Sequence, residues 1–183
     1  MKYMKNVCLL FPCLIVYIFA PMFFSANVNA QISEFKYVDS RNVISKKPFN
    51  IASLEGQVFA VINQKRDEYG LKPLAWNEQA AAVARLHSAN MASFNFFSHT
   101  GIDGKHVDKR ADSLGLNKWR MIGENIAYNS GFDDPVGRAV SGWLQSAGHR
   151  KNILRNEWKE TGIGISVSVN GKFYITQVFL QRK

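Results

Sequence analysis

The stretch Ile163-Gly-Ile-Ser-Val-Ser-Val-Asn170-Gly171-Lys-Phe173-Tyr-Ile-Thr-Gln-Val-Phe179 carries the strongest local pattern in the chain. Ile163, Ile165, Val167 and Val169 alternate with Gly164, Ser166 and Ser168. That period of two is the signature of a strand with one face in a core. Asn170-Gly171 then predicts a type I′ turn into a second strand, closing an antiparallel hairpin.

Upstream of the hairpin the period changes to that of helices. Ile51, Leu54, Val58, Val61, Ile62, Lys65 and Tyr69 recur at helical spacing, with Gly70 as the stop. A second helix starts behind Asn77 and runs to about Ser93, with Ala80, Val83, His87, Met91 and Phe94 on its apolar face. A short helix spans Lys105 to Leu114, and Met121 to Tyr128 reads as a strand. Asp134-Pro135 opens the clearest helix, since an acidic cap followed by proline suits a first turn. Its buried stripe is Val136, Ala139, Val140, Trp143 and Leu144, with Gly148 expected to end it. Helices followed by a hairpin predict an α+β domain, with a small central antiparallel sheet flanked by helices on both faces.

The first 30 residues have the layout of a secretory leader: Lys2 and Lys5, an apolar run from Val7 to Phe24, and Val28-Asn29-Ala30 at the cleavage position. A retained membrane anchor is the alternative. Residues 31–49 read as a linker or arm, and 50–183 as the domain. Cleavage would leave 153 of the 183 residues, enough for one core, with no transmembrane span. Both cysteines, Cys8 and Cys13, lie in the leader, so the mature chain would have no disulfide, thiolate metal site or cysteine nucleophile. Of 23 basic residues, Lys2 and Lys5 leave with the leader, so 21 face 14 acidic ones, a balance of +7. That favours anionic surfaces in a secreted or periplasmic setting. No nucleic-acid motif accompanies the charge.

Three separated segments each offer a group able to do chemistry: His99 after Phe96-Phe97-Ser98, Glu124 within Gly123-Glu124-Asn125-Ile126, and His149 in Ala147-Gly148-His149-Arg150. A buried carboxylate needs a partner, and a histidine is the natural candidate. Two imidazoles and a carboxylate suit a divalent metal or an acid/base site equally. The bland alternative is a hydrogen-bonded network that only holds loops together. Phe94, Phe96 and Phe97 are expected to be buried and to fix His99. His87 reads as a core histidine bonded to a nearby loop, and His106 as a solvated one. Ser146 and His149 stand three apart, yet no orienting base or oxyanion hole accompanies them. Arg150, Lys151 and Arg155 read as a solvated basic rim able to steer an anionic ligand.

Taken as an ordered set, His87-Ser88-x-x-Met91, Phe97-Ser98-His99, Gly123-Glu124-Asn125-Ile126-Ala127, Trp143-x-x-Ser146-x-Gly-His149-Arg-x-Asn-Ile-Leu154, Gly162-Ile-Gly164 and Tyr174-Ile-Thr-Gln177-Val-Phe179 resemble the CAP superfamily. This is the group of cysteine-rich secretory, antigen 5 and pathogenesis-related 1 proteins, also called the SCP domain. The resemblance spans about Ile51 to Leu180 and is nearest the cysteine-free bacterial branch. It implies an α-β-α sandwich and a cavity of two histidines and two acids, which in some members binds a divalent cation such as zinc. His99 and Glu124 match two of those four positions. Ser146 stands where many eukaryotic members have glutamate, and Tyr174 where they have histidine, so half of that tetrad is absent. By residue type, His149 fills the vacancy.

The ligand pocket is accordingly expected at His99, Glu124, His149, Ser146 and Tyr174. His99 and His149 are the metal candidates, and His87, Asn125, Trp143 and Gln177 are the structural supports. The leading expectation is a secreted or envelope-associated, non-enzymatic module for a lipid, a wall-derived fragment or an envelope protein. The alternative is a divalent-metal-dependent hydrolase, a protease or esterase, with Glu124 as base.

Overall fold

The computed structural model describes residues 49–183; the segment expected to be a leader and residues 31–48 of the expected arm lie outside the described residues. In chain order the elements are α1 (Ile51–Glu68), β1 (Ala75–Trp76), α2 (Glu78–Phe94), α3 (Val107–Ser113), β2 (Trp119–Asn129), α4 (Pro135–Gln145), α5 (Ala147–Ile153), β3 (Glu160–Val167) and β4 (Phe173–Arg182). The capping signals act as expected. The side chains of Asn77 and Asp134 accept from the Ala80 and Gly137 backbone N–H groups, and Asn50, which sequence reasoning passes over, caps α1 in the same way through Ser53 N.

The sheet has four strands in the order β1-β3-β4-β2. Strands β2, β4 and β3 are antiparallel, with Glu124 opposite Val178 and Ile163 opposite Gln177. β1 pairs parallel to β3 through Ala75 and Trp76, so the sheet is mixed rather than purely antiparallel. The cause is local: the turn after α1 carries the chain along β3 for two residues before Asn77 starts α2.

Helices cover both faces. Val58, Ile62, Val140, Trp143 and Ile153 pack against Ile163, Ile165, Phe173, Ile175 and Phe179 on one side. Ala80, Val83, Ala84 and Leu116 pack against Val178 and Leu180 on the other. Alternation along β4 therefore feeds two cores, and every residue from Phe173 to Leu180 is buried. The α-β-α sandwich is present. Gly162 and Gly164 make its α2 layer close: a Cβ there would stand 2.0 Å from Ala81 N and 2.1 Å from Arg85 N. Helix and strand touch backbone to backbone.

Four local expectations change. The hairpin turn runs over Ser168–Gly171, with Ser168 O accepting from Gly171 N at 2.9 Å, and there only Gly171 has positive φ. A type I′ turn needs two such residues, so this is a three-residue loop, and Val169 is exposed at its tip. On α1 the buried stripe continues through Arg66 rather than Lys65 and Tyr69, because carbonyls of Lys72, Ile153 and Arg155 receive the guanidinium. Helix α4 stops at Gln145, since Ser146 adopts extended backbone (φ −85°, ψ 122°). Gly148 and His149 lie inside the separate helix α5. Finally, Phe94 and Phe97 are exposed, and only Phe96 is half-buried. Left-handed Asn95 (φ 50°) turns the chain outward at the end of α2.

Candidate functional site

β2 is an edge strand, and the candidate residues gather along it. Its outward carbonyls are blunted by side chains: Trp143 Nε1 donates to Ile126 O at 2.8 Å, and Asn152 Nδ2 donates to Glu124 O at 3.2 Å. Asn125, fully buried, donates from Nδ2 to His149 O at 3.1 Å, while its Oδ1 accepts from Asn152 at 3.0 Å. These bonds hold α5 against β2 and set His149 at the strand edge.

His99 arrives from the other layer. Beyond Asn95 the loop is held by His87, whose ring is fully buried and donates from Nε2 to Ser98 O at 2.9 Å. Burial holds the His87 pKa below the ordinary histidine value, an effect that the Glu124 charge partly opposes. Thr100 N donates to Ser98 Oγ at 3.0 Å, and Arg110 Nη1 donates to the carbonyls of His99 (2.9 Å) and Lys105 (2.8 Å).

The centre is Glu124. Its side chain is only 3% exposed and lies between the Arg110 guanidinium and the His99 ring. His99 Nδ1 donates to Oε1 at 2.8 Å, and the buried Arg110 guanidinium pairs with Oε2 through Nη2. The His99 side chain is 50% exposed, so its Nε2 edge faces outward. The His149 ring lies 6.3 Å from the His99 ring, centroid to centroid. Desolvation, and then the neighbouring His99, lower the pKa of His149. Four residues along β2 from Glu124, on the same face of the sheet, is an aromatic platform. Phe97 meets Tyr128 edge-on at 4.8 Å, Lys172 stands 5.8 Å above Tyr128, and both rings are about half exposed.

Of the expected pocket residues, His99, Glu124 and His149 come together. Tyr174 does not join them: it is buried against Met91 and Ile126, with only its ring near Tyr128. Ser146 ends α4, and its carbonyl accepts from Arg150 N. Gln177 is buried on the opposite face and donates to Thr161 Oγ1 at 3.3 Å. Arg110 is the residue that sequence reasoning overlooks. It sits in the charged run of α3, which reads as a solvated face, although the need of a buried Glu124 for a counter-charge was the signal.

The donor set also tests the metal expectation. Both Glu124 oxygens are engaged, leaving His99 Nε2 and the His149 ring where catalytic zinc uses about three protein ligands. Among the described residues no three His, Cys, Asp or Glu side chains form a metal-holding group. The residues present do not fit a resident three-ligand ion.

Comparison with known proteins agrees with this architecture. The model of the cysteine-rich secretory protein family, CAP, matches residues 59–179. The chain belongs to the CAP family. It is 37% identical over 128 residues to the membrane protein YlbC of Bacillus subtilis and 31% identical over 126 residues to YkwD of the same organism. Those matches cover 70% and 69% of this chain but 34% and 48% of the relatives, so the chain spans about a third to a half of their length. An extracellular SCP-domain protein of Bacillus anthracis superposes with a TM-score of 0.64 at 31% identity, covering 72% of this chain and 41% of that one. Among the described residues no helix of this CAP protein is long and apolar enough to cross a membrane.

Proposed function

We propose that this CAP domain is a secreted or envelope-associated binding module, and that its ligand is a wall-derived fragment held at the His99–His149 edge. The observation that carries the reading is the closed state of Glu124. A general base needs a free oxygen near the proton that it takes. Here Arg110 and His99 occupy both oxygens, so the carboxylate serves to orient His99 rather than to abstract a proton. What remains available is the outer edge of His99, the His149 ring and the Phe97–Tyr128 platform. Exposed aromatic rings beside polar donors suit a ligand with apolar ring faces and hydroxyls, which is the chemistry of a sugar. A lipid chain or a protein partner draws less support, because the aromatic surface is open and edged by the Lys172 ammonium. The leader, the basic balance and the extracellular relative support a location outside the cytoplasm.

Binding of soluble disaccharide-peptide fragments from purified cell wall, measured by calorimetry on the full chain, tests the reading. Saturable binding that weakens in Phe97→Ala and His99→Ala is expected. Metal-dependent turnover of a peptide or ester library that disappears in Glu124→Gln would favour the hydrolase instead.

A further inference from the structure

Helix α5 has two working faces. Asn152 and Ile153 turn toward β2 and the core, whereas Ala147, Arg150 and Lys151 follow the i, i+3, i+4 spacing on the other side, with the half-buried C-cap Leu154 packing on the core and bordering both. That second stripe forms one wall of an open groove of about 540 Å³, and Arg155, Asn156 and Glu157 complete it. The basic rim read from the sequence is therefore concave.

Its cations are pre-ordered. The Arg150 guanidinium lies 5.1 Å over the Tyr69 ring, and that of Arg155 lies 5.4 Å over Trp158. Stacking holds a guanidinium plane in place while leaving its N–H edge free for an anion. Among the described residues neither Arg150 nor Lys151 has a carboxylate partner, and Glu157 stands 3.7 Å from Arg155 as the single acid of the groove. Behind the wall Arg66 is fully buried. It donates to Ile153 O at 2.7 Å and Arg155 O at 2.9 Å, and no described carboxylate neutralises it. Arg66 thus pins the backbone under the groove and adds uncompensated positive charge.

We propose that this groove is a second binding site, separate from the His99–His149 edge, for successive phosphate groups of an extracellular anionic polymer. Phosphate suits these groups because each phosphate of a chain keeps a full charge and two free oxygens for a guanidinium edge, and the next phosphate along meets the neighbouring cation. A linear polymer is favoured over a lipid headgroup because the charges line a concave groove rather than a flat face.

The test titrates sodium tripolyphosphate into the full chain by calorimetry at physiological salt, with flotation on phosphatidylglycerol vesicles as the second arm. Saturable tripolyphosphate binding is expected, falling about ten-fold or more in Arg150→Gln/Lys151→Gln. The control Lys109→Gln/Arg120→Gln removes equal charge elsewhere and is expected to bind as the parent does. Absence of saturable binding, equal loss in the control, or binding to vesicles without binding to tripolyphosphate would each overturn the proposal. Since the groove shares no side chain with the His99 edge, failure here leaves the wall-fragment reading standing.

Discussion

Arg110 and Glu124 form a buried ion pair that ties α3 to the edge strand β2, with side-chain exposures of 4% and 3%. Among the described residues the same guanidinium pairs with no other carboxylate, and it donates from Nη1 to the carbonyls of His99 and Lys105. One residue therefore neutralises the buried acid and sets the loop that presents His99. Replacing Arg110 with methionine strands a buried carboxylate, and a loss of about 3–5 kcal/mol is expected. Urea unfolding of Arg110→Met, Glu124→Gln and the double variant checks this. The double variant is expected to recover part of the loss, because no unpaired charge remains.

Acid sensitivity follows from the two lowered histidines. His87 and His149 are both held below their ordinary value by desolvation, so their neutral forms are favoured in the folded chain. A group with a depressed folded pKa contributes stability above its unfolded value, and that stability is lost as pH falls through the folded one. The unfolding free energy is thus expected to decline below about pH 6.5. Denaturation of the parent and of His87→Gln at pH 7.5 and 5.5 reads the effect; the variant is expected to show the smaller decline.

The contact of α2 with β3 leaves no room for a side chain. At Gly164 a Cβ would fall 2.1 Å from Arg85 N and 2.3 Å from Ala84 C, both backbone atoms of a buried helix. Gly164→Ala is expected to cost more than the ~1–3 kcal/mol of ordinary overpacking, because no rotamer change relieves it. Thermal unfolding monitored by circular dichroism measures the shift, and Gly56→Ala on the open face of α1 is the matched control.

Asn125 couples the edge strand to α5 through His149 O and Asn152. Asn125→Ala leaves buried partners unsatisfied, at about 1–3 kcal/mol. Hydrogen exchange is expected to quicken in α5 while α2 keeps its protection. Uniform quickening of both helices would mean that the bonds support the whole fold rather than α5.

Much of the architecture was legible because periodicity and caps agree. The alternation at Ile163–Val167, the asparagine cap at Asn77, and Asp134-Pro135 each mark an observed element. Where reading failed, backbone conformation at one residue decided the outcome. Extended Ser146 splits α4 from α5, and left-handed Asn95 exposes Phe97, although neither residue type demands it. The site was half legible. A buried Glu124 called for a partner, and His99 is one; the other, Arg110, is hidden among the charges of a short helix. Tyr174 shares the Glu124 face of the sheet, but it is buried with Met91 and Ile126 and reaches only the Tyr128 ring.

The central claim is that the His99 edge binds and that Glu124 orients without acting as a base. Calorimetric titration of the full chain with soluble wall-derived disaccharide-peptide fragments tests it most directly, alongside Phe97→Ala and His99→Ala. The account predicts saturable binding, weakened about ten-fold in each folded variant, with every fragment recovered intact. Binding unchanged in both variants, or cleavage of the fragments that disappears in Glu124→Gln, would contradict it.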